Sequence, residues 1–272
     1  MTRVVFGCVP DTDDDVTRGL LQKLCSILGA AVGLSVEPRV AASPQALAEE
    51  LAAGQVDVAW TSPTLLLTSN ELRAATPLVC SVRGGMTLYH GVVFVRESSP
   101  YKSTVDLKGA HAAWVSETSA SGYIFARLAL ASYGLDPRSL FGSETFHGSH
   151  GNVARAVLTG QADAGGVYAM FQDGNPMRPL VRAPFMDAVK GERGRILFAT
   201  PAIPADLIVA RAGLDPKTKT DLADILGQLH HNRDAVEPLQ RVLGADGFAP
   251  FDPRSLEPLR EQVQSGRELG LI

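Results

Sequence analysis

The chain has 272 residues, of which 45% are hydrophobic and 20% charged, and its formal net charge is −4. That length accommodates one large domain or two modest lobes, each with its own core. The acidic balance and the lack of a Lys/Arg cluster exclude nucleic acid as a partner, and no apolar run is long enough to span a bilayer.

In chain order, "RVVFGCVP" predicts a first strand. No basic segment, apolar stretch and small-residue cleavage site precede it in this sequence. Two locations are therefore open at this point, the cytoplasm or export by way of a leader outside this sequence. Val16, Leu20, Leu21, Leu24, Ile27 and Leu28 form one helical stripe. Asp11, Asp13, Asp14 and Asp15 stand at the start of that helix, where acids complement the helix dipole; the alternative is that they meet a ligand. Cys8, Cys25 and Cys80 are too few and too scattered for a disulfide framework or a zinc cluster, and read as buried small hydrophobes.

"LSVEPRVA" predicts a second strand, "SPQALAEELAAG" a capped helix and "VDVAW" a third strand. Further on come strand "MTLYHGVVFV", turn "DLKG", strand "AHAAWVS" and a helix from Tyr123 to Tyr133. "SHGNVARAVLTG" reads as a helix, "ADAGGV" as a strand, and the region from Asp215 as helical with breaks near Gly244 and Pro253. Alternating strands and amphipathic helices imply an α/β fold.

A weak internal repeat links "SPQALAEELAAGQVDVAW" to "SHGNVARAVLTGQADAGGV". Ser43 and Ser149 start the helices, Gly54 and Gly160 end them, and Gln55 and Gln161 follow. Asp57 and Asp163 then open the strands at the same spacing. Such a repeat suggests two similar lobes, and two α/β lobes commonly hold a small ligand in the cleft between them. Asp57 and Asp163 read as structural residues that satisfy local backbone N–H groups, not as paired catalytic acids.

The stretch "SETSASGYIF" places Ser119, Ala120, Ser121 and Gly122 between a strand and a helix. Helix starts leave N–H groups without internal acceptors, and the aligned peptide dipoles add partial positive charge there. Small residues and two hydroxyls at such a turn suit an anion cradle. Plain helix capping by Ser119 or Ser121 is the alternative.

The run from "LYHGVVFV" through "ADAGGV" resembles the phosphate/phosphite/phosphonate-binding proteins of ABC transporters, which are type II periplasmic binding proteins. "VDVAWTSP" resembles their first-lobe ligand loop and "LYHGVVFV" the tyrosine-bearing crossover strand. "VDLKG" precedes a strand as in the family, "SASG" is similar to its Ser-Thr-Ser-Gly-like turn, "GSHGNVARAV" resembles its Ser-His segment, and "ATPAIPADLIVAR" resembles its return crossover.

The resemblance implies a two-lobed type II periplasmic-binding-protein fold with a ligand cleft between lobes. Lobe one would comprise residues 1–88 and 198–272 and lobe two residues 89–197, with the hinge near Tyr89 and Ile196. It implies oxyanion contacts from Ser119, Ala120, Ser121 and Gly122, with Ala120 standing where a hydroxyl residue is more usual. It adds Tyr89, His150 and the Trp60–Thr64 loop, with Trp60, Thr61 and Ser62 as the candidate contacts. Capping or packing is the alternative role for His150; as a ligand contact it would be a protonated, charge-assisted donor. Relatives that bind aminoalkylphosphonates meet the amine with acids. One such position falls on "VYAM" (167–170), which carries none, and another on Asp206. The three-residue spacing of His147 and His150 is read as no metal site.

The function implied is capture of a small phosphorus oxyanion or organophosphonate for an ABC permease. The chain is expected to be a periplasmic or extracytoplasmic solute-binding monomer with no cofactor and no catalysis. A menaquinone-pathway-like enzyme on the same scaffold and a cytoplasmic ligand sensor are the alternatives. No G-x-S-x-G, H-E-x-x-H or P-loop pattern supports catalysis.

Overall fold

The computed structural model describes residues 3–10 and 12–272. The chain divides into two compact units, one built from the residues up to Thr87 with Pro204–Arg254, the other from Leu88–Ile203 with Ser255–Ile272.

The repeated sequence unit folds the same way in both. Ser43 Oγ accepts from Ala46 N–H (3.1 Å) and Ser149 Oγ from Asn152 N–H (3.2 Å), which caps helices Pro44–Ala52 and His150–Leu158. Gly54 and Gly160 then adopt left-handed backbone at φ 74° and 77°. Gln55 N–H returns to Glu50 O (2.9 Å) and Gln161 N–H to Ala156 O (2.8 Å), tying off the last helical turn. Asp57 Oδ2 accepts Val5 N–H (2.8 Å), and Asp163 Oδ2 accepts His111 N–H (2.9 Å). Each carboxylate thus pins the start of its own strand to the start of the parallel neighbour. Asp57 also receives Arg211 Nε (2.7 Å).

In the first unit the sheet runs in the order Gly247–Pro250, Thr76–Val82, Leu207–Ala210, Val58–Thr61, Arg3–Cys8, Ser35–Val40. Arg3–Cys8 is parallel to both of its neighbours, while Leu207–Ala210 lies antiparallel to Val58–Thr61. Side chains alternate across the pleat, so Val4, Phe6 and Cys8 face helix Asp15–Val32 through Leu21, Leu24 and Leu28. Leu47, Leu51, Val56, Leu207 and Val209 fill the opposite face. Strand Gly247–Pro250 lies in a region expected to be helical. Its backbone is drawn out by pairing with Thr76–Val82, a long-range constraint that local pattern does not carry.

In the second unit the order is Gly194–Ala199, Leu88–Arg96, Ala164–Phe171, His111–Trp114, Ser143–Phe146. Leu88–Arg96 sends Val92 and Phe94 to one core and Val93 and Val95 to the other. Both faces are buried, hence the unbroken apolar run. The C-terminal helix Glu257–Glu268 packs on helix Phe125–Ser132 in this unit and not with the first, where residues 198–272 were expected. Gly266 makes that approach possible, since a Cβ there would stand 2.3 Å from Leu128 Cδ2. Residues 198–203 also belong to this unit: Thr200 N–H donates to Gly91 O (2.8 Å).

Candidate functional site

In the second unit the predicted helix start has a different geometry from the one expected. The chain does not enter an α-helix at Ser121. It makes a wider turn over Ala120–Ile124, with Ile124 N–H bonded to Ser119 O (2.9 Å) and Phe125 N–H to Ala120 O, and continues as α-helix to Ser132. Such π-type turns inside helices are rare and cluster at functional sites.

Ser119 is the cap, its Oγ accepting Gly122 N–H (3.2 Å). The amides of Ala120 and Ser121 belong to the first turn and have no intrahelical acceptor. The Ser121 hydroxyl makes no hydrogen bond among the described residues, although Ser121 is only 3% exposed. Gly122 was expected to be small so that a ligand could approach. Its smallness instead serves packing: a Cβ there would stand 2.4 Å from Val115 Cγ2 and 2.8 Å from Ser119 Oγ.

Two strand glycines form the floor under this turn. A Cβ on Gly91 would meet Ser121 O at 2.8 Å, and one on Gly166 would meet Gly122 O at 2.9 Å and the Trp114 ring at 2.6 Å. Their signal in the sequence is glycine within two otherwise apolar strand patterns, a mark of close backbone approach. They bring the turn down onto the sheet beyond the carboxyl end of strand His111–Trp114, where open α/β sheets carry ligands.

His150 reaches the same end of the sheet. His147 N–H donates to Trp114 O (2.8 Å), Gly148 N–H to Val115 O (2.9 Å), and Ser149 caps the helix that His150 begins. Its Nδ1 accepts Tyr168 N–H (3.4 Å), and its ring meets the Tyr168 ring edge-on at 5.1 Å. Tyr168 pairs in register with Gly91, so His150, Tyr168, Gly91 and Ser121 form one connected cluster. Tyr89 lies two residues before Gly91, half-buried.

Burial pushes the His150 imidazole down to about 4. The ring is therefore neutral at pH 7, not protonated as expected. With Nδ1 serving as acceptor, the proton sits on Nε2, which is left as a neutral donor.

In the first unit, Trp60 and Thr61 close strand Val58–Thr61, and Ser62 Oγ caps the next helix through Leu65 N–H (3.2 Å). A cavity of about 360 Å³ opens beside them, lined also by Leu47, Arg83 and Asp206. Trp60 Nε1, Thr61 Oγ1 and Thr64 Oγ1 are buried with no hydrogen-bond partner among the described residues, against the general rule that buried polar groups are satisfied.

Asp206 was expected to be available to an amine. It is instead held by Arg83 Nη2 (2.5 Å), a residue the sequence reading missed. The two are 123 positions apart, so no local pattern announces the pair.

The acidic first turn is likewise engaged. Asp14 Oδ1 caps Thr17 N–H (2.7 Å), and Asp13 pairs with Arg18 (2.7 Å); these bonds hold both carboxyls below their usual range. Asp11 lies outside the described residues. Cys8, Cys25 and Cys80 are buried, and burial pushes each thiol up to about 12.

Residues 6–256 match the family described as "ABC transporter, phosphonate, periplasmic substrate-binding protein". Among solved structures, XAC2383 from Xanthomonas citri bound to ATP is similar at 25% identity and a TM-score of 0.75, covering 98% of this chain and 99% of that one. The same protein bound to chloride gives 26% and 0.74, covering 99% and 100%. PhnD1 from Prochlorococcus marinus, in complex with methylphosphonate, shares the fold at 18% identity and a TM-score of 0.63, covering 100% and 99%. The architecture is the two-lobed type II periplasmic-binding-protein fold. With its sequence matched over nearly the whole length, this chain belongs to the family of periplasmic substrate-binding proteins of phosphonate ABC transporters.

Proposed function

We propose that this chain is an extracytoplasmic solute-binding protein that captures a small phosphorus oxyanion or organophosphonate through the Ala120–Ile124 turn and delivers it, as a monomer, to an ABC permease. It acts by binding alone, without catalysis or a nucleic-acid partner. The turn carries the reading. First-turn amides at the positive end of a helix, a hydroxyl with no partner among the described residues and a neutral imidazole donor gather at one end of the sheet. Every one of these groups donates, which suits an acceptor-only phosphonate oxygen.

Ala120 and Ser121 contact the ligand directly. Ser119 and Gly122 shape the turn, and Tyr89 and His150 add donors. Trp60 Nε1 and Thr61 Oγ1 are the candidate ligand donors of the first unit, with Ser62 beside them. The similar protein from Xanthomonas citri is bound in its two structures to ATP and to chloride, which have negative charge in common. That likeness supports an anion as the ligand.

The test is calorimetric titration and thermal shift with phosphate, phosphite, methylphosphonate, sulfate and ATP. A phosphorus oxyanion or phosphonate that binds the folded state raises the melting temperature as its concentration passes Kd. Failure of every phosphorus ligand to bind, or binding unchanged when the turn residues are replaced, would overturn the proposal.

A further inference from the structure

We propose that His111 and His147 form a binding site for a divalent transition-metal ion, which clips the edge strand Ser143–Phe146 to its neighbour His111–Trp114. The site lies wholly in the second unit and uses none of the residues proposed to meet the phosphonate. Thr145 Oγ1 meets both imidazoles, His111 Nε2 at 2.9 Å and His147 Nε2 at 3.1 Å. A hydroxyl has one proton, so it donates to one of these nitrogens and accepts from the other. One ring therefore presents a bare Nε2 already, and the other does so once its proton moves to Nδ1. Neither Nδ1 has a hydrogen-bond partner among the described residues, so that shift breaks no other bond.

The backbone that carries each ring is fixed at both of its polar groups. His111 N–H donates to Asp163 Oδ2 (2.9 Å), and its carbonyl accepts Asp163 N–H (2.9 Å). His147 N–H donates to Trp114 O (2.8 Å), and its carbonyl accepts Asn152 Nδ2 (2.9 Å). Parallel pairing sets His111 opposite Ser143, which puts Thr145 on the same face two residues on. A metal–imidazole bond is about 2.0–2.1 Å long, so each nitrogen has to draw in by only about 1 Å.

The donor set selects the ion. Imidazole nitrogen suits zinc, copper and nickel, whereas magnesium takes oxygen ligands. No cluster of three or more His, Cys, Asp or Glu stands ready for a metal among the described residues, so water fills the remaining positions. The Asp163 carboxylate on the His111 amide adds negative charge, which favours a cation. Ser143–Phe146 is the outermost strand of its sheet and is exposed along its length, the kind of strand that opens or pairs wrongly. A metal bridge from the inner strand to the residue just past the edge strand holds it in place.

Calorimetric titration of the untagged full chain with Ni(II), Zn(II) and Cu(II), with Mg(II) as the control, tests the site. One ion is expected per chain, held most tightly for Cu(II), with no binding of Mg(II). His111→Gln and His147→Gln keep a hydrogen-bonding side chain beside Thr145 and remove the imidazole. Each should weaken Ni(II) binding by at least about tenfold, since losing an outer-shell partner alone costs about 10- to 100-fold. His231→Ala, at the first-unit pair whose rings stand 4.0 Å apart, should bind like the parent. Ni(II) should raise the melting temperature of the parent and not of His111→Gln, and should slow amide exchange along residues 143–146. No binding at all, binding that survives both glutamine variants, or loss of binding in His231→Ala overturns the metal site. Binding at these histidines with exchange along 143–146 unchanged overturns the clip.

Discussion

Replacing Ser119 and Ser121 by Ala, one at a time, separates capping from ligand binding at the turn. Ser119 Oγ accepts Gly122 N–H at 3.2 Å. Removing that acceptor costs about 1 kcal/mol, the ordinary cost of losing a serine cap. For a chain of this size that corresponds to a fall in melting temperature of roughly 2–4 °C. The Ser121 hydroxyl makes no hydrogen bond among the described residues, so Ser121→Ala should change stability by no more than about 0.5 kcal/mol.

Against an anionic ligand the order reverses. A hydrogen bond to a charged group contributes about 1.5–3 kcal/mol, which is roughly a 10- to 150-fold rise in Kd when it is lost. Ser121→Ala should show that rise at an unchanged melting temperature, and Ser119→Ala should show a lower melting temperature with a smaller loss of binding. Titration calorimetry against phosphate and methylphosphonate, paired with scanning calorimetry without ligand, reads both quantities. If Ser121→Ala binds like the parent, its hydroxyl does not face the ligand and the assignment of the turn fails.

Gly122→Ala should destabilise the fold by about 1–3 kcal/mol, because its Cβ would stand 2.4 Å from Val115 Cγ2; denaturant titration measures this. His150 is held down to about 4 by burial against an ordinary 6.5. Its neutral-state stability is therefore intact above about pH 6.5 and lost as pH falls towards 4, by at most about 3 kcal/mol, and His150→Gln should flatten urea midpoints across that window. Asp57→Ala should cost more than Asp163→Ala, about 2–4 against about 1–2 kcal/mol by urea unfolding. Both orphan a backbone N–H, but only Asp57 is buried and paired with an arginine.

What the sequence disclosed about this fold follows the range over which each force acts. The cap at Ser43 and the left-handed Gly54 act within one helix and its exit, and the same pair recurs at Ser149 and Gly160; Asp57 and Asp163 share the spacing, but each carboxylate bonds an amide 52 positions away and not the local N–H groups expected. Local chemistry of that kind leaves a readable pattern, and its repetition points to two similar units.

The candidate site was legible only in part, because the forces that finish it act across the chain. "SASG" marks a turn, but its π-type geometry is not in the local pattern, and it lies against Gly91 and Gly166 on separate strands. The neutral state of His150 comes from burial under other segments, and helix spacing does not encode burial of a polar residue. The pair of Asp206 with Arg83 inverts the meaning of an acid that looked ready for an amine. Each correction has the same cause: a side chain was assigned a charge or a freedom from its own neighbours, and a distant residue then changed it. The Arg83–Asp206 pair spans 123 positions of sequence and is legible only when both partners are seen together.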